Sequence, residues 1–280
     1  MKTILVTGGL GMIGRELVEL LEKDKNNIVC VADLKDGDDL TSYEQCKTLC
    51  VGTEEVYHLV GVKGNPKMTK ERPLDFMFPM LQCDTNMIRA AIECGVKKFL
   101  YTSSIAVENP ESDKYPAWAK MTGETLLEAA KIQHPEFKSV IVRPANVYGR
   151  FDNFDNPNAM VVTKLINEAL KNKKLILDNE GSNQYRDFIN AKDVARGMIL
   201  AMEEMPAYPV NLCSGDIWSI NNLVLEIKEN LNCKVEYADL GMTLGPRIKP
   251  MTINWNFKPQ ISLREGIKEV CEWVKNGNHH

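Results

Sequence analysis

Val6–Gly14 reads VTGGLGMIG. A β-branched run, KTILVTG (2–8), leads into this stretch, and a helical pattern over 13–23 leaves it. Gly8, Gly11 and Gly14 stand three residues apart at that junction. Glycine is needed where φ turns positive and where backbone must come close to a ligand's oxygens. A helix starting here offers free N–H groups and the positive end of its dipole to an anion. Such spacing alone is a weak signal, but between a strand and a helix it reads as a pyrophosphate-binding turn. The competing reading is a tight structural turn.

Asp33 ends the next strand, NNIVCVADL (26–34), 19 residues past Gly14. A carboxylate there can accept both hydroxyls of an adenosine ribose and repels a 2′-phosphate. NAD is therefore the expected cofactor. NADP is the less favoured one, kept open by Lys35. The bland alternative for Asp33 is a solvated acid at a strand end.

Further along, short apolar runs continue to alternate with helical patterns. EEVYHLVG (54–61) is a third strand, 75–95 a long helix, VKKFLYTSS (96–104) a fourth strand, and KSVIVRPANVYG (138–149) a fifth with its exit loop. The spacing also predicts a helix from Pro116 to about Gln133. Apolar strands alternating with helices mean a parallel sheet covered on both faces. The expected fold is α/β, a Rossmann-type doubly wound parallel sheet with a smaller C-terminal substrate-binding lobe. Residues 1–149 form the dinucleotide-binding domain, with returns to the sheet around 186–213. RFDNFDNPNAM (150–160) is a loop that opens the lobe, built from 150–185 and 214–280.

Bulk properties exclude several classes. The 280 residues are 44% hydrophobic and 26% charged, with a net charge of −4. No basic run marks a nucleic-acid binder, and no apolar stretch approaches the ~20 residues that span a bilayer. MKTILVTGG is too short and too glycine-rich for a signal peptide. The eight cysteines form no CxxC pair, so no metal site is expected. Reduced thiols and a cytoplasmic location are the bland reading.

Several motifs together resemble the extended short-chain dehydrogenase/reductase family, in its branch of nucleotide-sugar epimerases, dehydratases and ketoreductases. They are TGGLGMIG (7–14), DDL (38–40), HLVGVKG (58–64), FLYTSSIAV (99–107), KMTGE (120–124), RPANVYG (143–149), GSNQYRDFINAKDVARG (181–197) and WNFKPQISLREGI (255–267). The resemblance spans residues 2–273, and the last two motifs point to the sugar-nucleotide branch. It implies that Met12 and Ile13 offer backbone N–H groups to the pyrophosphate. Asp33 takes the adenosine ribose, Asp39 and Leu40 the adenine, and Leu59, Val60, Gly61 and Lys63 line the dinucleotide. Ser104 is the catalytic serine. Lys120 holds the nicotinamide ribose and lowers the pKa of the general base. Ala145 sits by the nicotinamide amide. Asn146 and Arg186 face the nucleotide-diphosphate sugar, with Arg247 a second diphosphate candidate. Each has a plainer alternative: Arg186 pairing with Asp187 or Asp193, Lys63 solvated on its loop, Asn146 capping a turn, Ser104 merely ending a strand.

The resemblance breaks at one place. The family's active-site helix carries a tyrosine four residues before the lysine, and here that residue is Pro116, with Tyr115 one position early. Spacing of four places two side chains on one helix face. Spacing of five rotates them ~140° apart, at ~100° per residue. Proline suits a first helical position and favours an extended residue before it, so Tyr115 just ahead of a helix starting at Pro116 could still fold toward the pocket. The other candidates for the base are Glu111, Asp113 and Lys120 itself, or Ser104 with water. Two functions follow. One is an NAD-dependent oxidoreductase or epimerase of a nucleotide-diphosphate sugar, with redox chemistry at C4. The other is a dinucleotide-binding sensor or scaffold without turnover. The resemblance also implies a homodimer through the 75–95 and Lys120 helices.

Overall fold

In a computed structural model the described residues are 1–62, 66–111, 114–156, 159–179, 184–239 and 252–277, with the side chains of 66–68 left out. Six parallel strands form the central sheet. In chain order these are β1 (Lys2–Thr7), β2 (Asn27–Ala32), β3 (Glu55–His58), β4 (Lys98–Thr102), β5 (Lys138–Pro144) and, after a pair of short strands outside the sheet and others further on, β10 (Val210–Leu212). Their spatial order is β10-β5-β4-β3-β1-β2. The short strands are β6 (Asn146–Tyr148), β7 (Lys174–Asp178), β8 (Tyr185–Arg186), β9 (Phe188–Asn190), β11 (Trp218–Ser219) and β12 (Lys234–Ala238), joined in pairs as β6–β9, β7–β12 and β8–β11.

Alternation along β1 shows why its sequence is continuously apolar. Ile4 and Val6 enter one core with Leu17 and Leu21 of α1 (Met12–Leu21) and Val194 and Met198 of α7 (Ala191–Glu204). Leu5 enters the opposite core with Cys46 of α2 (Tyr43–Cys50), Met87 of α4 (Pro73–Glu93) and Leu127 of α5 (Lys114–Gln133). Burying a side chain such as Leu17 contributes about 1.5–3 kcal/mol, and both faces of each strand collect such terms. The short α3 (Pro66–Glu71) precedes α4.

A separate core joins α6 (Val161–Asn172), α8 (Ile220–Leu231) and α9 (Leu263–Lys275) to the β7–β12 pair. Ser262 and Glu265 start α9 with a reciprocal capping box. This third core takes up much of the chain after Gly149 that did not alternate simply.

Two of the boundaries that differ from the sequence reading bear on the site. The third strand stops at His58 rather than running to residue 61, because its ladder partner β1 ends where the glycine turn begins. The helix that carries Lys120 starts at Lys114, not at Pro116. In the sheet, β2 and β3 flank β1 on opposite sides. Connections leaving β1 and β3 diverge there and open a crevice at the carboxyl ends of the strands, where open α/β sheets bind ligands.

Candidate active site

The glycine turn is built as a tight approach. Gly8 has φ +72°, the left-handed region, and a Cβ on it would lie 3.2–3.3 Å from Leu59 and Val60 backbone atoms. A Cβ on Gly14 would sit 2.6 Å from Gly9 Cα and closer still to the Gly8 carbonyl. Gly11 caps α1 without any side-chain hydrogen bond, so Met12 and Ile13 begin a helix whose first amides are unclaimed by a cap. Leu59 and Val60 are half-buried and Gly61 is exposed beside this turn.

Asp33 braces the turn from β2. Its carboxylate accepts from Leu10 N at 3.1 Å and from Lys35 N at 3.1 Å, and Lys35 Nζ reaches back to the Leu10 carbonyl at 3.4 Å. Asp39 turns its carboxylate onto Thr41, and those bonds hold its pKa below the usual value. Leu40 is buried, with its carbonyl taken by Cys46 and Asn86.

Lys120 is only 9% exposed. Its ammonium lies 3.5 Å from Asp84 Oδ2 and 4.7 Å from the centre of the Tyr101 ring. Among the described residues it has no hydrogen-bond acceptor. Asp84 is itself buried, taking a hydrogen bond from Tyr101 OH at 2.5 Å and one from His58 Nε2 at 3.0 Å. Burial pushes its carboxyl up, but the Lys120 charge and the two hydrogen bonds outweigh that and leave its pKa lowered. Tyr101 is raised well above the usual phenol value by burial and by the adjacent carboxylate.

Ser104 follows β4 in extended backbone and caps a 3-10 turn, Ile105–Glu108, which packs on α5. Its neighbour Ser103 points the other way, donating to Glu124 at 2.5 Å, and Glu124 in turn holds Arg143 with two hydrogen bonds. Ser104 is half-buried, its hydroxyl accepting from Ala106 N at 3.2 Å.

Tyr115 is not placed as the extended residue before the helix that the proline suggested. It lies inside α5, in the first turn, five residues from Lys120 on a continuous helix and 37% exposed. That rotation carries it ~140° from the lysine. Tyr115→Phe is accordingly expected to keep turnover within about threefold. A loss of ~10²-fold or more, the size of a general acid–base contribution, would return the base to this tyrosine. Of the other candidates, Glu111 is exposed, and Asp113 lies outside the described residues.

On the lobe side, Asn146 uses its side-chain amide and its backbone N–H on the Asp187 carbonyl, at 2.9 and 3.2 Å, which stitches β6 to β9. Arg186 donates to the Tyr185 carbonyl at 2.7 Å and to Gln184 Oε1 at 3.2 Å. It does not pair with Asp187 or Asp193. Asp187 is occupied by Ser214 and Gly215, and Asp193 by Arg196 and the amides of Gln260 and Ile261. Arg186 has no ion pair among the described residues, and burial lowers its pKa. Ala145 is half-buried and donates its N–H to Leu212 O at 2.9 Å. Lys63 and Arg247 lie outside the described residues.

The residues missed in sequence are Asp84, His58 and Tyr101. A signal existed for the first. Met80, Asp84 and Ile88 recur every four residues, so the acid sits in the apolar stripe of α4, where a solvated charge does not belong.

Among the described residues no helix is long and apolar enough to cross a membrane. The model of the NAD dependent epimerase/dehydratase family matches residues 4–213. GDP-L-fucose synthase 1 of Arabidopsis thaliana is 28% identical over 98% of this chain and 93% of its own length. UDP-glucuronic acid decarboxylase 3 of the same plant is 25% identical over 94% and 86%. A crystal structure of UDP-glucose 4-epimerase with UDP-glucose from Thermotoga maritima superposes with a TM-score of 0.84 over 99% of both chains at 22% identity, a likeness of fold. The glycine turn at the switch point, the buried lysine beyond the fourth strand and the match over three quarters of the sequence agree: this chain belongs to the NAD dependent epimerase/dehydratase family.

Proposed function

We propose that the protein is an NAD-dependent oxidoreductase or epimerase of a nucleotide-diphosphate sugar, working by redox at C4. The observation that carries this reading is Arg186. A half-buried guanidinium with no carboxylate partner among the described residues is costly unless an anion completes it, and a fork of N–H donors suits a diphosphate. The relatives' printed names concern GDP- and UDP-linked sugars, which agrees.

The dinucleotide, when bound, supplies the hydride acceptor or donor. Around it, Asp33 would take the adenosine ribose, Asp39 and Leu40 the adenine, and the amides of Met12 and Ile13 the pyrophosphate. Leu59, Val60, Gly61 and Lys63 would line it, and Ala145 would meet the amide end. Lys120 would hold the second ribose and keep positive charge beside the reacting oxygen. Ser104 would hydrogen-bond that oxygen, and proton transfer would run through Ser104 and water. Asn146 would face the sugar, and Arg247 would be a second diphosphate contact. The competing reading, a binding protein without turnover, rests on Pro116 alone.

The test is a panel of UDP-, GDP-, CDP- and dTDP-sugars added with NAD. At 100 times its Kd a ligand adds about 2.7 kcal/mol of stability, so a flat thermal response across the panel would sink the reading. Arg186→Gln should raise the KM for the sugar nucleotide about 10- to 100-fold with kcat little changed, matching the ~1.5–3 kcal/mol of a charge-assisted hydrogen bond. An unchanged KM would remove Arg186 from the site.

We also propose a cytoplasmic homodimer. Eight free thiols suit a reducing compartment. The outer faces of α4 and α5 leave Leu74, Phe78 and Trp118 exposed, a patch that pairing two copies would cover. A single-chain mass by light scattering at micromolar concentration would overturn the dimer.

A further inference from the structure

We propose that Asp84 is a positioning residue of this site: it holds Lys120 in place of the phenol that the helix lacks, and through His58 and Thr7 it ties the lysine to the glycine turn. The inference rests on the reading of Lys120 as a dinucleotide contact.

Three other elements meet on this carboxylate, and a fourth is reached through His58. Oδ2 faces Lys120 of α5 at 3.5 Å and Tyr101 of β4 at 2.5 Å. Oδ1 takes the Nε2 of His58, from β3, at 3.0 Å. A nitrogen that donates to a carboxylate carries the proton, so the other ring nitrogen, Nδ1, is the acceptor of the Thr7 hydroxyl at 2.7 Å. Thr7 ends β1 and its successor is Gly8, the first residue of the phosphate turn. Thr7, His58, Asp84 and Tyr101 are all buried. Gly123 of α5 makes room for this arrangement, since a Cβ there would collide with the Tyr101 hydroxyl.

The Lys120 contact is an ion pair without hydrogen-bond geometry. Its charge is anchored from below while its N–H donors stay unspent. A buried pair of this kind needs further polar contacts to be tolerated. Asp84 has two, and Lys120 has none among the described residues. The carboxylate is thus fixed by protein, and the ammonium, held by the carboxylate, keeps its donors for a ligand. In the usual helix a tyrosine on the same face would flank the lysine. Here Pro116 stands at that position, and the partner comes from α4 instead.

The test is a double-mutant cycle on the full chain: wild type, Asp84→Asn, Lys120→Gln and the pair, read by NADH affinity and by melting temperature. If Asp84 acts through Lys120, D84N weakens NADH about 10-fold in wild type and has no further effect in K120Q, because contacting residues are not additive. The double variant also melts above either single variant, since each single change strands one buried charge. Additive losses of NADH affinity would overturn the proposal. Coupled stability with NADH affinity unchanged in D84N would overturn it too, leaving the pair as structural support only. If wild type binds no dinucleotide at all, the functional reading fails by itself. The melting cycle then still decides whether the Asp84–Lys120 pair exists, and a pair in a site without a dinucleotide has nothing to position.

Discussion

Lys120→Met should abolish detectable turnover and make the protein lose stability as the pH rises. The first effect is electrostatic. Removing one preorganised positive group beside a reacting oxygen costs about 10²–10³ in kcat, and this lysine would also hold the cofactor's ribose. The second effect is a consequence of Asp84. In wild type the carboxyl has a lowered pKa because Lys120 and two hydrogen bonds outweigh burial. A carboxyl with a lowered folded pKa stabilises above its unfolded value, ~3.9, and that stability disappears as pH falls through the folded value.

Without Lys120 the largest influence opposing burial is gone, and the folded pKa is expected to move above the unfolded value. The sign then reverses. The contribution of Asp84 is fully favourable only below its unfolded pKa and is lost as pH rises through the new folded one. The stability gap between wild type and variant should therefore be wider at pH 8 than at pH 4, reaching several kcal/mol for a stranded buried charge, and the gap in Tm should widen with it. Steady-state rates with a sugar nucleotide and melting curves across pH check both. Full activity in the variant would refute the assigned site, and a pH-independent Tm gap would refute the ion pair.

Gly14→Ala should remove dinucleotide binding. The added methyl meets backbone of Gly8 and Gly9 rather than a side chain that could rotate away. Either α1 lifts off the turn or the turn opens. Forcing a methyl into a packed site costs about 1–3 kcal/mol, and both outcomes displace the amides of Met12 and Ile13 that would face the pyrophosphate. Titration by NADH fluorescence should show at least a ~100-fold loss, equal to about 2.7 kcal/mol, with the fold retained by circular dichroism. Binding within threefold of wild type would assign the turn a structural role. In the same titration wild type should prefer NADH to NADPH, because Asp33 stands at the end of β2. The reverse order would transfer the ribose pocket to Lys35.

The sequence alone determined the parts of this protein that depend on local pattern. Gly8, Gly11 and Gly14 stand between a β-branched run and a helical period, and that order admits a phosphate turn opening a helix. Ile4, Leu5 and Val6 are apolar without alternation because both faces of their strand are covered, so the parallel sheet was legible too. Family membership followed from motifs of contiguous residues, such as RPANVYG and WNFKPQISLREGI. What only the tertiary structure decided was which distant side chains share a dielectric. Asp84, His58 and Tyr101 lie in three separate segments, and no periodicity links an acid on α4 to a lysine on α5. Their meeting is set by how the helices pack on the sheet. The same holds for Arg186, whose neighbours Asp187 and Asp193 looked like partners in sequence. The amides of Ser214, Gly215, Gln260 and Ile261 take those acids, and the guanidinium has no ion pair among the described residues. Tyr115 shows the reverse case. Its one-residue offset was visible in sequence, but whether proline opened the helix or sat within it depended on where the preceding loop delivered the chain, and α5 begins at Lys114.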